Sequence, residues 1–254
     1  MRVAMETFPA VADRVGSMAR RMAESELHYT IIFGPSSAVV RDILAHRLPY
    51  GGRILDMTFG KGAFWRGLDL GGYDVTGIDM KPDDDYVAIR DEMHDIKILG
   101  GRDFTCLWEF SNYRYDAVMF DPPFTHHPRK DSYFDRRYNG HATMAGLDHN
   151  GIVDQYRKGM AEGYRVLKPG GILVVKSQDE IESNRLRRTT MEVHKIATDE
   201  LGMRDDGDRY QIPTVLPTVQ NKQQRHAKRV GSIWWIFVKP ASAREKEKRS
   251  VLDL

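Results

Sequence analysis

The chain carries a single cysteine, Cys106. A disulfide framework is therefore excluded, and a cysteine-built zinc site has no material. No apolar run approaches the roughly 20 residues needed to span a bilayer. The opening stretch, MRVAMETFPAVADRVGSMARRMAESELHY, lacks the continuous apolar segment of a secretory signal. Charge of one sign is also missing: 38 Lys and Arg face 36 Asp and Glu, for a net +2. The chain is not a basic nucleic-acid coat, and any basic surface must be local. There is no internal repeat. These absences point to a soluble protein of the cytoplasm.

What is present suits one α/β domain with additions. The 254 residues are 41% hydrophobic, enough to fill a core. Val11, Val15, Met18, Met22 and Leu27 recur at helical spacing, so residues 1–30 read as an N-terminal helical extension. A second helix is expected over 36–47, with Ser36 or Ser37 as its cap and Val39, Val40, Ile43 and Leu44 as its apolar face. GGRILDMTFGKGAF then reads as strand, glycine loop and helix. YDVTGIDMKP, YDAVMFDPPF, ILVVKSQDEI and SIWWIFVKP read as further strands, with helices over 151–167 and 186–201.

Short, nearly continuous apolar strands separated by helices indicate a parallel sheet covered on both faces. A Rossmann-like, doubly wound sheet places its working loops at the carboxyl ends of the strands. The domain is expected over 31–240, followed by a flexible tail over 241–254. Two polar stretches, 124–150 and 204–231, read as long loops, and loops of that length inside a domain commonly carry function.

The first loop holds the first chemical signal. Asp56 ends a strand, Thr58 and Phe59 follow, and Gly60 and Gly62 allow a tight turn and close approach of backbone to a ligand. Asp79, with Met80 beside it, ends the next strand, where an acid can accept both hydroxyls of a ribose. The loop lacks the G-x-G-x-x-G spacing of a dinucleotide site and the G-K-[ST] of a phosphate loop. It suits a nucleoside better than a pyrophosphate. Read alone, the two glycines are equally well simple turn residues.

The second signal is Asp121-Pro122-Pro123-Phe124, which closes the apolar run Ala117-Val118-Met119-Phe120. A rigid turn capped by an acid is the plain reading. It leaves unexplained why that turn stands at a strand's carboxyl end, downstream of a nucleoside loop.

Together these residues resemble the class I S-adenosylmethionine-dependent methyltransferases. DMTFGKGAF is similar to their cofactor loop, Asp79 to their ribose acid, and DPPF to the [Asp/Asn/Ser]-Pro-Pro-[Tyr/Phe/Trp] motif of enzymes that methylate an amino nitrogen of a base or a glutamine amide. VLKPGGILVVKSQD (166–179) and QRHAKRVGSIWWIF (224–237) resemble later motifs of small DNA methyltransferase-like proteins with DPPY. The similarity spans about 53–238. The loop departs from its relatives in Thr58-Phe59-Gly60-Lys61-Gly62, and no separate target-recognition domain is present.

The resemblance implies a mostly parallel seven-stranded sheet with an antiparallel last strand, and S-adenosyl-L-methionine as cofactor with no metal. It implies that Asp56, Thr58, Phe59, Gly60, Gly62, Asp79 and Met80 bind the cofactor. Asp103 is the candidate for its adenine amino group, with Asp95 as competitor, and Phe104 for its adenine ring. Ser36 is a candidate for its methionine end. Asp103 and Phe104 also read as a surface acid and a core phenylalanine.

Asp121, Pro122, Pro123 and Phe124 are the catalytic candidates. An exocyclic amino group is a poor nucleophile because its lone pair is delocalised into the ring. The Asp121 carboxylate and the Pro122 carbonyl can accept its two hydrogens, while Phe124 offers a stacking face. His126, Arg129, Lys130, Arg136 and Arg137 follow directly. With Tyr133 and Tyr138 they suit a phosphate backbone and splayed bases, though a solvated loop has the same letters. Lys176, Gln178, Arg225, His226 and Arg229 are further substrate candidates. His126, His127, His141 and His149 lack metal-ligand spacing. The leading expectation is transfer to N6 of adenine or N4 of cytosine in DNA. RNA N2-guanine or N6-adenine, a glutamine amide, and a catalytically silent binding module remain alternatives.

Overall fold

The computed structural model describes residues 27–81, 87–123, 148–182, 184–213 and 229–241. In chain order the elements are β1 (Ile31–Phe33), α1 (Ser36–Arg47), β2 (Gly52–Asp56), β3 (Tyr73–Ile78), α2 (Val87–Glu92), β4 (Ile96–Leu99) and β5 (Tyr115–Phe120). Then come α3 (His149–Val166), β6 (Leu167–Ser177), β7 (Glu180–Glu182), β8 (Arg185–Arg187), α4 (Thr189–Lys195), β9 (Arg204–Ile212) and β10 (Ser232–Val238). A π-helical turn, Ile196–Glu200, prolongs α4.

One eight-stranded sheet runs in the order β1-β9-β10-β6-β5-β2-β3-β4, and β7 and β8 form a separate hairpin. β10 is antiparallel to both β6 and β9, while the other pairs are parallel. This is the expected doubly wound, mostly parallel sheet with an antiparallel last strand. The strand count is eight rather than seven, because β1 adds to the outer edge of β9 in the register Ile31↔Tyr210.

The stretch 204–231 also needs correcting at its start, since Arg204–Ile212 is strand. Its inward residues are Arg209 and Gln211, both buried and polar, so the strand shows no apolar alternation. Arg209 is satisfied by Asp42 at 2.6 Å and His46 at 2.9 Å. The expected 186–201 helix starts at Thr189, because Arg185–Arg187 pair with Glu180–Glu182. The N-terminal extension up to residue 26, most of the 124–150 stretch, residues 214–228 and nearly all of the tail lie outside the described residues.

Alternate residues of the central strands supply two cores, one on each face of the sheet. Leu55, Val118, Phe120, Leu173 and Val175 meet Tyr156 and Met160 of α3 on one side. Ile54, Ala117, Met119, Val174 and Trp234 meet Val39, Val40 and Ile43 of α1 on the other. α3 begins where Asp148 accepts from the Gly151 amide at 2.8 Å, which satisfies one of the free N–H groups of the first turn. Its Gly159 lets the helix lie against the sheet: a Cβ there would stand 2.3 Å from Phe120 Cζ. The strand order reverses between β2 and β5, so a crevice opens beyond the carboxyl ends of these two strands.

Candidate functional site

The carboxyl ends of β2, β3, β5 and β6 bring Asp56, Asp79, Asp121 and Lys176 to this crevice. Asp56 is buried at the end of β2. Its Oδ1 accepts from the Thr58 amide at 3.0 Å and its Oδ2 from Trp65 Nε1 at 2.7 Å. Burial pushes its carboxyl up to about 7. The Trp65 and Thr58 hydrogen bonds oppose that rise, and the charges of Asp121 and Asp79 add to it.

The expected helix after the glycine loop is instead a run of tight turns, closed by bonds from the Gly62, Trp65 and Leu68 amides to the carbonyls of Phe59, Gly62 and Trp65, and the loop itself is pinned from below. The Phe59 amide donates to the Ile78 carbonyl at 3.0 Å, and the buried Phe59 ring covers Gly77. Gly60 has φ +56°, and a Cβ there would meet nothing nearer than the Thr58 carbonyl at 3.8 Å. The loop therefore offers bare backbone to whatever lies above Gly60. Its amide donates to Asp79 Oδ2 at 2.8 Å, and the Lys81 amide donates to Asp79 Oδ1 at 3.0 Å. Each Asp79 oxygen keeps lone-pair capacity for a hydroxyl donor. Met80 is exposed beside it.

At the end of β5, the Asp121 amide donates to Thr58 Oγ1 at 2.7 Å. One side chain thus joins the glycine loop to the Asp-Pro-Pro turn. Asp121 Oδ2 lies 3.0 Å from Lys176 Nζ. Asp121 Oδ1 is buried and has no hydrogen-bond partner among the described residues. Pro122 is buried and Pro123 half-buried, and Phe124 lies outside the described residues.

Lys176 sits in a cradle. Its ammonium is 3.4 Å from Ser36 Oγ, 5.2 Å from the Trp234 ring centroid and 5.9 Å from that of Phe64. Trp234 Nε1 donates to Gln211 Oε1 at 3.1 Å, and Gln211 Nε2 donates to the Gly34 carbonyl at 2.9 Å. β9 therefore braces both the indole and the turn leading into α1. On the opposite face Tyr156 donates its hydroxyl to the Lys176 carbonyl at 3.0 Å. Burial lifts the Tyr156 phenol well above its usual range, and the Asp121 and Glu180 charges push the same way.

Other candidates fall in different places. Asp103 follows β4 at the site edge, and its Oδ1 accepts from the Thr105 amide and hydroxyl, both at 2.8 Å. Asp95 precedes β4 and so stands at the opposite, amino edge. Phe104 is buried, and its ring packs 5.1 Å from that of Phe120. Ser36 is not the cap of α1. Pro35 holds that position without a side-chain bond, and the Ser36 hydroxyl turns to Lys176. Gln178 Nε2 donates to the Arg229 carbonyl at 2.9 Å, which brings those two together beyond β6. His126, Arg129, Lys130, Arg136, Arg137, Arg225 and His226 lie outside the described residues.

Sequence reasoning missed Trp65, Trp234 and Gln211. Trp65 stands three residues after Gly62, near enough for its indole to reach back to Asp56. Trp234 and Gln211 belong to strands distant in sequence, and only their pairing shows the contact. Among the described residues no group of three or more His, Cys, Asp and Glu is placed to hold a metal ion. No described helix is long and apolar enough to cross a membrane.

No family model matches the chain, and no curated protein sequence matches it significantly. Some solved structures align with the chain at low identity. The PH0226 protein of Pyrococcus horikoshii OT3 aligns with TM-score 0.49 and 16% identity, over 79% of this chain and 87% of its own. A SAM-dependent methyltransferase of Methanosarcina mazei aligns with TM-score 0.49 and 14% identity, over 79% of this chain and 98% of its own. TrmN from Thermus thermophilus aligns with TM-score 0.48 and 14% identity, over 87% of this chain and 53% of its own.

Proposed function

We propose that the chain is an S-adenosylmethionine-dependent methyltransferase acting on an exocyclic amino nitrogen of a nucleic-acid base, N6 of adenine or N4 of cytosine in DNA. One observation carries this reading. Asp121 keeps a buried carboxylate oxygen, without a partner among the described residues, at the switch-point crevice, next to a loop that presents bare backbone at Gly60. A buried acceptor without a partner costs stability, so its retention points to a donor supplied from outside.

The residues fit the cofactor. Asp79 has lone-pair capacity for ribose hydroxyls, and the Thr58–Gly62 backbone would lie along the rest of the nucleoside. When bound, the cofactor supplies a methyl group on a positively charged sulfur. The chain's part is to make the acceptor nitrogen reactive. Asp121 Oδ1 accepts a hydrogen bond from one amino N–H and the Pro122 carbonyl from the other, which draws the lone pair out of the ring; once the nitrogen is methylated, its surplus proton is lost to Asp121 or to water. The proline pair holds that carbonyl in a fixed direction. Phe124 stacks on the base, worth roughly 1–3 kcal/mol. A base in duplex DNA must first be flipped out. Rate comes from alignment and from acceptors set before the reaction begins.

The test is incubation with methyl-labelled S-adenosylmethionine and separate DNA and RNA pools, followed by mass spectrometry of the nucleosides. The expected product is N6-methyladenine or N4-methylcytosine from DNA. Label on N2-guanine or N6-adenine of RNA replaces the DNA assignment with the RNA alternative. No transfer and no cofactor binding leaves a silent module of the same fold.

A further inference from the structure

We infer that Lys176 is a positioning residue for Asp121, fixing the carboxylate so that Oδ2 is occupied and Oδ1 alone faces the acceptor amino group. The inference rests on the amino-methyl transfer proposed above. Its starting point is how fully the ammonium is used. A lysine has three N–H donors and no acceptor. Here the ammonium meets Asp121 Oδ2 at 3.0 Å, Ser36 Oγ at 3.4 Å and the faces of Trp234 and Phe64. Its side chain is only 14% exposed. Among the described residues all of these contacts lie on the inner side of the sheet edge, and the side chain keeps little exposure. The sequence places Lys176 among the substrate contacts, whereas this geometry turns it inward.

The cradle is built rather than incidental. Trp234 is held by Gln211, Gln211 by the Gly34 carbonyl, and the Lys176 backbone carbonyl by Tyr156. Lys176 and Trp234 face each other in register across β6 and β10. The pairing sets the Lys176 side chain on the same face of the sheet as the Trp234 indole. Two consequences follow. The carboxylate is held in one orientation, with Oδ1 as the oxygen that has no partner among the described residues. The pair is also formally neutral, which suits a neutral conjugated amino group and disfavours an alkylammonium, whose charge would face that of Lys176.

Steady-state kinetics of Lys176→Ala against the intact chain, on the DNA that the intact chain methylates, separates the roles. A positioning residue predicts kcat reduced by about thirty-fold or more, with KM for DNA and the cofactor dissociation constant within about threefold. Added n-propylammonium should restore turnover saturably, because it refills the space and the charge. A raised KM with unchanged kcat puts Lys176 on the substrate and overturns the inference, as does unchanged kinetics. A stability cycle is independent of activity. Lys176→Ala should lower the thermal midpoint, and adding Asp121→Asn should recover part of that loss, because no buried carboxylate is left unpaired. Additive midpoints overturn the pairing even if Lys176→Ala folds poorly. Absence of transfer by the intact chain defeats the proposed function instead, and leaves the stability cycle to judge the pair.

Discussion

The Thr58 hydroxyl accepts the Asp121 amide at 2.7 Å, while the Thr58 amide itself donates to Asp56. A single residue of the glycine loop is thus bonded to the strand end before it and to the Asp-Pro-Pro turn. Thr58→Val keeps the shape but leaves the Asp121 N–H without its partner, a loss of about 1–3 kcal/mol. Cofactor affinity should stay near that of the intact chain, because Asp79 still anchors the loop. Turnover should fall about tenfold, as expected for a barrier rise of about 1.4 kcal/mol. Titration calorimetry and a methyl-transfer assay separate the two quantities.

Asp79 offers a second, opposite split. Both its oxygens accept backbone amides, those of Gly60 and Lys81, and under the proposed function both also take ribose hydroxyls. Asp79→Ala should weaken cofactor binding by about 1.5–3 kcal/mol, roughly ten- to hundredfold. An unchanged dissociation constant removes Asp79 from that role.

How much of this was legible beforehand follows from where the signals lie. Asp56, the glycine loop, Asp79 and Asp121 each end an apolar run, and a run with an acid at its end is visible in one dimension. The central strands were legible for the same reason, since burial on both faces leaves nearly continuous apolar letters. β9 was not. Its inward positions are Arg209 and Gln211, whose burial is made tolerable by Asp42, His46, Gly34 and Trp234, all from other elements. β1 has three residues, too few for a period to show. The inward turn of Lys176 depends on register across three strands, and in the sequence it looked like any basic residue at a strand end.

Asp56 gives a pH signature. Its folded value of about 7 lies above the ordinary 3.8. Between those values the folded chain binds more protons than the unfolded one, so this group's contribution to stability falls as pH rises from about 4 to about 7. Above that window the full cost of the buried charge, up to about 4 kcal/mol, is present. His46 is lowered by burial and by the charges of His28, Arg47 and Arg209, and its slope below 6.5 has the opposite sign. The useful comparison is therefore between the intact chain and Asp56→Asn. Denaturant unfolding at pH 5 and pH 8 should show the intact chain losing more stability than the variant. Parallel curves contradict the assignment.

Gly159 tests the packing under the site. Gly159→Ala places a Cβ 2.3 Å from Phe120 Cζ and 3.0 Å from Phe104 Cδ2. Overpacking of this kind costs about 1–3 kcal/mol. Because Phe120 precedes Asp121, methyl transfer should fall along with stability. An unchanged denaturation midpoint contradicts the close packing of α3 on β5.

The central claim is that the free Asp121 oxygen receives the acceptor amino group. Single-turnover methyl transfer by Asp121→Ala, measured beside cofactor binding by the same variant, tests it most directly. The predicted result is cofactor binding within a fewfold of the intact chain and transfer reduced to background. Full transfer by Asp121→Ala would contradict it.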